Sequence, residues 1–384
     1  MLLDPAIAYL NSGSAGPLPR SVYARVSDFR RRLAEEPLDF LLRDTPALLC
    51  AARKRLAEFV GGEPSRLALT TNVTSAVNLL ASGLELDSPG EILMTDYEYT
   101  PMRWCWERAA ARQGLDVRIL RLPVLPAEPG EILEAAQAAL GPRTRLFFFS
   151  HVLASTGTVL PVKQLCAAAR TRGVLTVVDG AHGPAFTDLD MADLGCDYYV
   201  GVGHKWLLAP TGTGFLHFGT GGADRLRPMQ VSWGYHSFGA NDKLDERDNF
   251  GRTPALRSLE VEGTRDICPW LALPDAIDFQ AALGHNAVQA RMRELAGHVR
   301  ECLSGWRGLA PATPQNPHLH VGMTAFDLPH GTDPAWLRRQ LWERYRIEIS
   351  AVEGNDGPLL RVSTHFFNTE IEAERLRDAL GELS

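Results

Sequence analysis

From Leu67 onward the chain alternates short apolar runs with stretches of helical period. The runs Leu67 to Thr70, Ile92 to Thr95, Val117 to Leu122, Leu146 to Phe149, Val174 to Val178 and Tyr198 to Val200 show no inside–outside alternation. Helix-length segments separate them, including an apolar stretch to Leu80, one starting near Pro101 and one at 162–172. Unalternating apolar runs interleaved with helices predict a mainly parallel sheet covered on both faces, an α/β fold. Ahead of this region lie a turn-rich arm and two helical patterns, roughly 21–36 and 45–60, closed by Gly61-Gly62. After the run Gly214 to Phe218 the rhythm breaks into a polar loop, 219–265. Helices near 270–283 and 285–304 follow, then strands near 319–325, 346–350 and 359–363, with helices at 333–344 and 370–382. The expected organisation is an N-terminal arm (1–20) packed near the functional site, a large domain (21–268) and a smaller C-terminal α+β domain (269–384).

Composition narrows the function classes. A length of 384 residues suits a large domain plus a small one, and 45% hydrophobic with 22% charged residues is ordinary for a globular protein. A net charge of −7 gives no general pull toward nucleic acid. No run of 18 apolar residues suggests a membrane span, and Met1-Leu2-Leu3-Asp4-Pro5 does not read as a signal peptide. The six cysteines are scattered without Cys-x-x-Cys, so no zinc site or disulfide framework is expected and a reducing cytoplasm fits.

The basic residues number 39, yet only Lys54, Lys163, Lys205 and Lys243 are lysines. Lys205 alone follows an apolar run and sits among glycines, a histidine and a tryptophan, in Val200-Gly201-Val202-Gly203-His204-Lys205-Trp206. Desolvation there disfavours the ammonium and exposes the amine as a nucleophile suited to a Schiff base. A surface lysine past a strand end explains the heptapeptide alone equally well. Asp179 ends the most hydrophobic run, where a carboxylate needs a cation or a donor. A helix-capping role before Gly180-Ala181-His182 is the plain alternative. Thr71-Asn72-Val73-Thr74 lies between strand and helix, where an anion can meet free amides, although any helix needs an N-cap. Gly201-Val202-Gly203 lacks the remainder of a dinucleotide or Walker fingerprint.

Five motifs in order carry a resemblance: Thr71-Asn72-Val73-Thr74, Asp96-Tyr97-Glu98-Tyr99, Val178-Asp179-Gly180-Ala181-His182, Gly203-His204-Lys205-Trp206 and Glu262-Gly263-Thr264-Arg265-Asp266. Together they resemble the class V aminotransferase family of fold-type I pyridoxal-phosphate enzymes. Leu10-Asn11-Ser12-Gly13, Val231-Ser232-Trp233-Gly234 and Leu360-Arg361-Val362-Ser363 resemble its isopenicillin N epimerase-like branch. The resemblance implies pyridoxal 5′-phosphate as cofactor, held as a Schiff base on Lys205. It implies Asp179 on the pyridine nitrogen, His182 on the ring oxygen, and Tyr99, or else Tyr97, stacked on the ring. Val73, Thr74 and His204 would hold the phosphate, with Thr264 donated across a homodimer. Arg361 would clamp the substrate carboxylate, with Asn11, Tyr235 and His236 also in the substrate site.

Two departures stand out. Val202 and Ala154 replace polar residues that relatives place near the cofactor, with His151 and Ser155 as compensating candidates. Segment 346–361 has no cysteine, which argues against persulfide chemistry. The implied activity starts with loss of an α-proton to give a quinonoid. Epimerase-like chemistry comes first, with carbon–sulfur β-lyase and aminotransferase activities as alternatives and a cofactor-free structural homologue as the different class. Inversion needs a second acid, for which Tyr235, His236 and His365 are candidates. Trp104, Trp106, Trp233 and Tyr235 could line a bulky pocket or belong to core and interface.

Overall fold

The computed structural model describes residues 1–234 and 252–383. The chain opens with a two-residue strand, β1 (Ala8–Tyr9). Seven further strands follow: β2 (Leu67–Thr70), β3 (Glu91–Thr95), β4 (Asp116–Leu120), β5 (Thr144–Ser150), β6 (Leu175–Gly180), β7 (Tyr198–Val202) and β8 (Gly214–Phe218). Among the described residues they form one sheet in the order β2-β8-β7-β6-β5-β3-β4. β3 to β7 pair in parallel with β4 on the outside, while β8 is antiparallel to both β7 and β2. Residues 203–213 between β7 and β8 are too few for a helical crossover, so β8 must return antiparallel. Because β8 separates β2 from β7, those two point the same way. The carboxyl ends of β2, β3, β5, β6 and β7 therefore share one edge, where open α/β sheets bind ligands.

The absence of alternation in the apolar runs now has its cause. Along β5, Phe147 and Phe149 pack into the core on one face of the sheet, and Leu146 and Phe148 into the core on the other. Leu93 and Val178 join the first face, and Ile92, Met94, Val177 and Val200 the second. Helices close both sides, so neither set of side chains meets water. The outer strand β4 differs, alternating exposed Asp116 and Arg118 along its free edge.

The C-terminal region supplies β9 (Ala310–Pro311), β10 (Met323–Asp327), β11 (Ile347–Glu348), β12 (Ser350–Glu353) and β13 (Pro358–Ser363). β12-β13-β10-β9 make an antiparallel sheet, and β1 pairs in parallel with β11. Asn11 bridges to Ser363, so the first residues of the chain lie against its last strands. The amide of Gly16 then donates to the His204 carbonyl at 2.7 Å. A Cβ at Gly16 would fall 2.0 Å from the Lys205 carbonyl oxygen, so only glycine allows this approach.

Three expectations need correction. The segment 219–265 is not all loop: Pro254–Glu260 is a helix, capped by Thr253 Oγ1 accepting from the Leu256 amide. The Thr253-Pro254 pair is a helix-start signal, but only Leu256 and Leu259 are buried, too few to show a period. The strand expected at 319–325 begins at Met323, although Leu319 and Val321 are buried. The strand expected at 346–350 is two strands, because Ile347–Glu348 pairs with the arm and Ser350–Glu353 with β13.

Arg53, in the basic run Arg53-Lys54-Arg55, is 3% exposed. Its guanidinium donates to both oxygens of Glu260, which also accepts from the Leu69 amide at 2.9 Å. The pair ties the helix Thr45–Phe59 to β2 and to the helix Pro254–Glu260. Arg53→Met leaves a buried carboxylate with one donor, and should cost about 3–5 kcal/mol of stability. Urea unfolding followed by circular dichroism measures it, and a loss below about 1 kcal/mol would contradict the buried pair.

Candidate active site

A cleft of about 900 Å³ opens at the shared carboxyl edge. Its floor comes from strand ends: Ser150 from β5, Asp179 from β6, and Val202 with the following His204 and Lys205 from β7. Asn72, Val73 and Thr74, just past β2, form one wall, and Tyr99 another. Gly13 and Ser14 of the arm and Arg361 of β13 close the side toward the C-terminal sheet.

Lys205 is half-buried, with its Nζ 3.2 Å from His182 Nε2. Burial lowers its pKa to about 8; Arg361 pushes in the same direction and Asp179 opposes. Asp179 is buried and its Oδ1 accepts from the Ala181 amide at 2.9 Å. Burial raises its pKa, with that amide and Lys205 offsetting part of the effect. His182 is held well below the usual imidazole range, first by burial and then by the cations Lys205 and Arg361. It is neutral, and its Nδ1 accepts from the Trp206 indole at 3.1 Å.

Glu98 escapes the sequence reading altogether, although it sits inside Asp96-Tyr97-Glu98-Tyr99. It is 9% exposed and accepts from Thr95 Oγ1 (2.5 Å), the Ser150 amide (3.1 Å) and Ser150 Oγ (2.6 Å). Burial drives its pKa up to about 7, and Asp179 adds to the rise. A second buried carboxyl thus follows β3, and Asp179 disfavours its ionisation.

Arg361 is 6% exposed and among the described residues meets only neutral acceptors: the Ala154 carbonyl (2.5 Å), Asn11 Oδ1 (3.1 Å) and Ser14 Oγ (3.0 Å). Its Nε has no partner. Burial lowers its pKa to about 10. A buried guanidinium without a counter-charge is a receptor for an anion. Opposite it, Asn72 caps the helix Val73–Gly83 by accepting from the Ser75 amide at 2.8 Å. The first amides of that helix, at Val73 and Thr74, lie outside its own ladder and border the cleft, where the helix dipole favours negative charge. His204 borders the same space with a buried, unpartnered Nδ1.

The structure therefore brings Val73, Thr74, Tyr99, Asp179, His182, His204, Lys205 and Arg361 to one cleft, and leaves others out. Tyr97 is half-buried against the core rather than lining the cleft. Asn11 lies behind Arg361, with its Nδ2 donating to Glu348 at 2.9 Å. Thr264 is exposed and does not border the cleft of its own chain. His365 is not a candidate acid: its ring stacks on Trp206 and its Nε2 sits 3.0 Å from the Trp206 carbonyl. His151 does not compensate at the cofactor position either, since its Nδ1 pairs with the buried Tyr199 hydroxyl at 2.9 Å. Ser155 is likewise outside the lining, whereas Val202 and Ala154 both border it. Trp106 is core, while Trp104 and Trp233 are exposed. Tyr235 and His236 lie outside the described residues.

The donor set fits pyridoxal phosphate. The cleft offers a buried carboxylate for a protonated ring nitrogen, an imidazole N–H for a ring oxygen and a helix start for a phosphate. It adds a proton-poor amine for an aldehyde and a vacant guanidinium edge for a carboxylate.

Comparison with known proteins follows this geometry. The family model described as Aminotransferase class-V matches residues 8–376. The chain is 63% identical over 385 residues to the isopenicillin N epimerase of Amycolatopsis lactamdurans, covering 100% of this chain and 96% of that protein. It is 59% identical to the isopenicillin N epimerase of Streptomyces clavuligerus, again over 100% and 96%. A solved structure of the cystine C–S lyase C-DES with cysteine persulfide shares the fold at a TM-score of 0.87 and 24% identity, covering 98% and 97% of the two chains. The chain belongs to the class V aminotransferase family.

The Lys205 environment can be checked without any cofactor. Modification of the stripped protein by a small amine-directed reagent, followed at Lys205 by mass spectrometry, should accelerate as pH rises through about 8. A midpoint near the ordinary lysine value of roughly 10.4 would contradict the desolvated setting.

Proposed function

We propose that this member of the class V aminotransferase family is a pyridoxal-phosphate-dependent epimerase that inverts the α-carbon of isopenicillin N. The observation that carries the reading is the half-buried, proton-poor Lys205 in one cleft with Asp179 and Arg361. Identities of 63% and 59% to two isopenicillin N epimerases over the whole chain support the substrate. When bound, pyridoxal phosphate supplies an electron sink that acidifies the α-hydrogen of an attached amino acid.

The residues of the chain do the rest. Arg361, held by Ala154, Asn11 and Ser14, binds the substrate carboxylate and sets which α-substituent faces Lys205. Lys205 Nζ takes the α-proton: with a pKa of about 8, roughly a tenth of the amine is neutral at pH 7. Asp179 would face the ring nitrogen. Val73, Thr74 and His204 would hold the phosphate, and Tyr99 would cover the ring. A second acid on the opposite face returns the proton, and Tyr235 and His236 are the candidates for it.

The assembly we propose is a homodimer, with Thr264 serving the partner's cleft. Exposed Tyr99, Met229, Val231 and Trp233 suit such an interface. Six cysteines without a disulfide suit the cytoplasm, and no described helix is long and apolar enough to cross a membrane.

Isopenicillin N incubated with the enzyme in D₂O should yield the inverted α-centre carrying deuterium, read by NMR and chiral chromatography. Carbon–sulfur cleavage or keto-acid release in place of inversion would contradict the epimerase reading. Arg361→Ala should raise KM roughly 10- to 100-fold, the loss expected for about 1.5–3 kcal/mol of charge-assisted bonding. An unchanged KM would remove Arg361 from the substrate site.

A further inference from the structure

We propose that Trp206 is a positioning residue that fixes the tautomer and ring orientation of His182, so that the imidazole presents Nε2–H to the cleft; its role toward the cofactor rests on the pyridoxal-phosphate reading. An indole nitrogen carries a hydrogen and can only donate, so the atom it faces must offer a lone pair. That atom is His182 Nδ1, at 3.1 Å in the protein interior. A neutral imidazole with an acceptor at Nδ1 must carry its proton on Nε2. His182 Nε2 lies 3.2 Å from Lys205 Nζ. With that tautomer the contact is a hydrogen bond when the Lys205 amine is in its neutral, accepting form, the form that burial favours.

Trp206 is itself locked. Its ring is 0% exposed and packs against Phe186, with centroids 4.2 Å apart. Its carbonyl accepts from Gln280 Nε2 at 3.0 Å and from His365 Nε2 at 3.0 Å. His365 Nδ1 in turn accepts from the Phe366 amide at 2.9 Å, which leaves the His365 proton on Nε2 as well. The donors thus run in one direction, from a backbone amide at Phe366 through His365, Trp206 and His182 to the cleft. A purely apolar ring at 206 would fill the same space and leave His182 free to carry its proton on either nitrogen. Only the indole N–H biases that choice.

The test combines nitrogen-15 NMR of histidine-labelled protein with the visible absorption of the cofactor-loaded enzyme. In the wild-type protein, with or without cofactor, His182 should show a pyrrole-type Nε2 and a pyridine-type Nδ1, with the signals assigned by their loss in His182→Gln. Trp206→Phe should move both nitrogens toward intermediate shifts. A hydrogen bond donated to an oxyanion lowers its proton affinity, so in Trp206→Phe the pH midpoint of the cofactor band should rise by about one unit. In the His182→Gln background, Trp206→Phe should leave the midpoint unmoved, because no Nδ1 remains to receive the indole. A pyrrole-type Nδ1 in the wild type, or an equal midpoint shift in both backgrounds, would overturn the proposal. The tautomer is read on the wild type alone, so it stands or falls even if Trp206→Phe does not fold. Failure to take up pyridoxal phosphate would instead overturn the cofactor reading, while the nitrogen shifts still decide the tautomer.

Discussion

Charged groups withdrawn from water at the carboxyl edge of one sheet govern this molecule. Lys205, Asp179, Glu98 and Arg361 each give up hydration that a neutral side chain would not miss, and each has its proton affinity moved by that loss. Their burial requires walls on every side. Those walls are the sheet covered on both faces, the helix at Val73 and an arm threaded from residue 8 to residue 16. The arm reaches Arg361 through Asn11 and Ser14 and the lysine loop through Gly16. Parts of the chain more than three hundred residues apart, Asn11 and Arg361, must meet before the cleft exists. A cofactor and substrate of matching charge would offset the cost of that desolvation, and two residues bordering the cleft, His204 and Arg361, carry unpartnered polar atoms.

Much of the architecture was readable from the chain, for reasons that vary by element. The strands β2, β3 and β5 to β8 are doubly buried, so continuous apolar runs mark them directly. Short elements did not announce themselves. The helix Pro254–Glu260 buries two leucines, and β11 exists because the arm lies beside it. Tertiary pairing made those elements, and no local pattern of residues could.

The site divides the same way. Lys205 and Asp179 stand at strand ends, and the topology of parallel strands sends them to one edge. Glu98 was invisible because its burial depends on Ser150 from another strand. A histidine near the C-terminus gives no sign that its ring will stack on Trp206, so His365 reads as one candidate acid among three. Trp206 reads in sequence only as a neighbour of the lysine, yet its indole N–H donates to His182 and its carbonyl accepts from Gln280. Side chains that act through other side chains leave no spacing to read.

The central claim is that Lys205 is the amine that engages pyridoxal phosphate in this cleft. Reduction of the loaded protein with borohydride, followed by peptide mass spectrometry, measures that engagement at a single atom. The account predicts a reduced cofactor adduct on the peptide containing Lys205 and its absence in Lys205→Ala. An adduct confined to another lysine, or none at all, would contradict it.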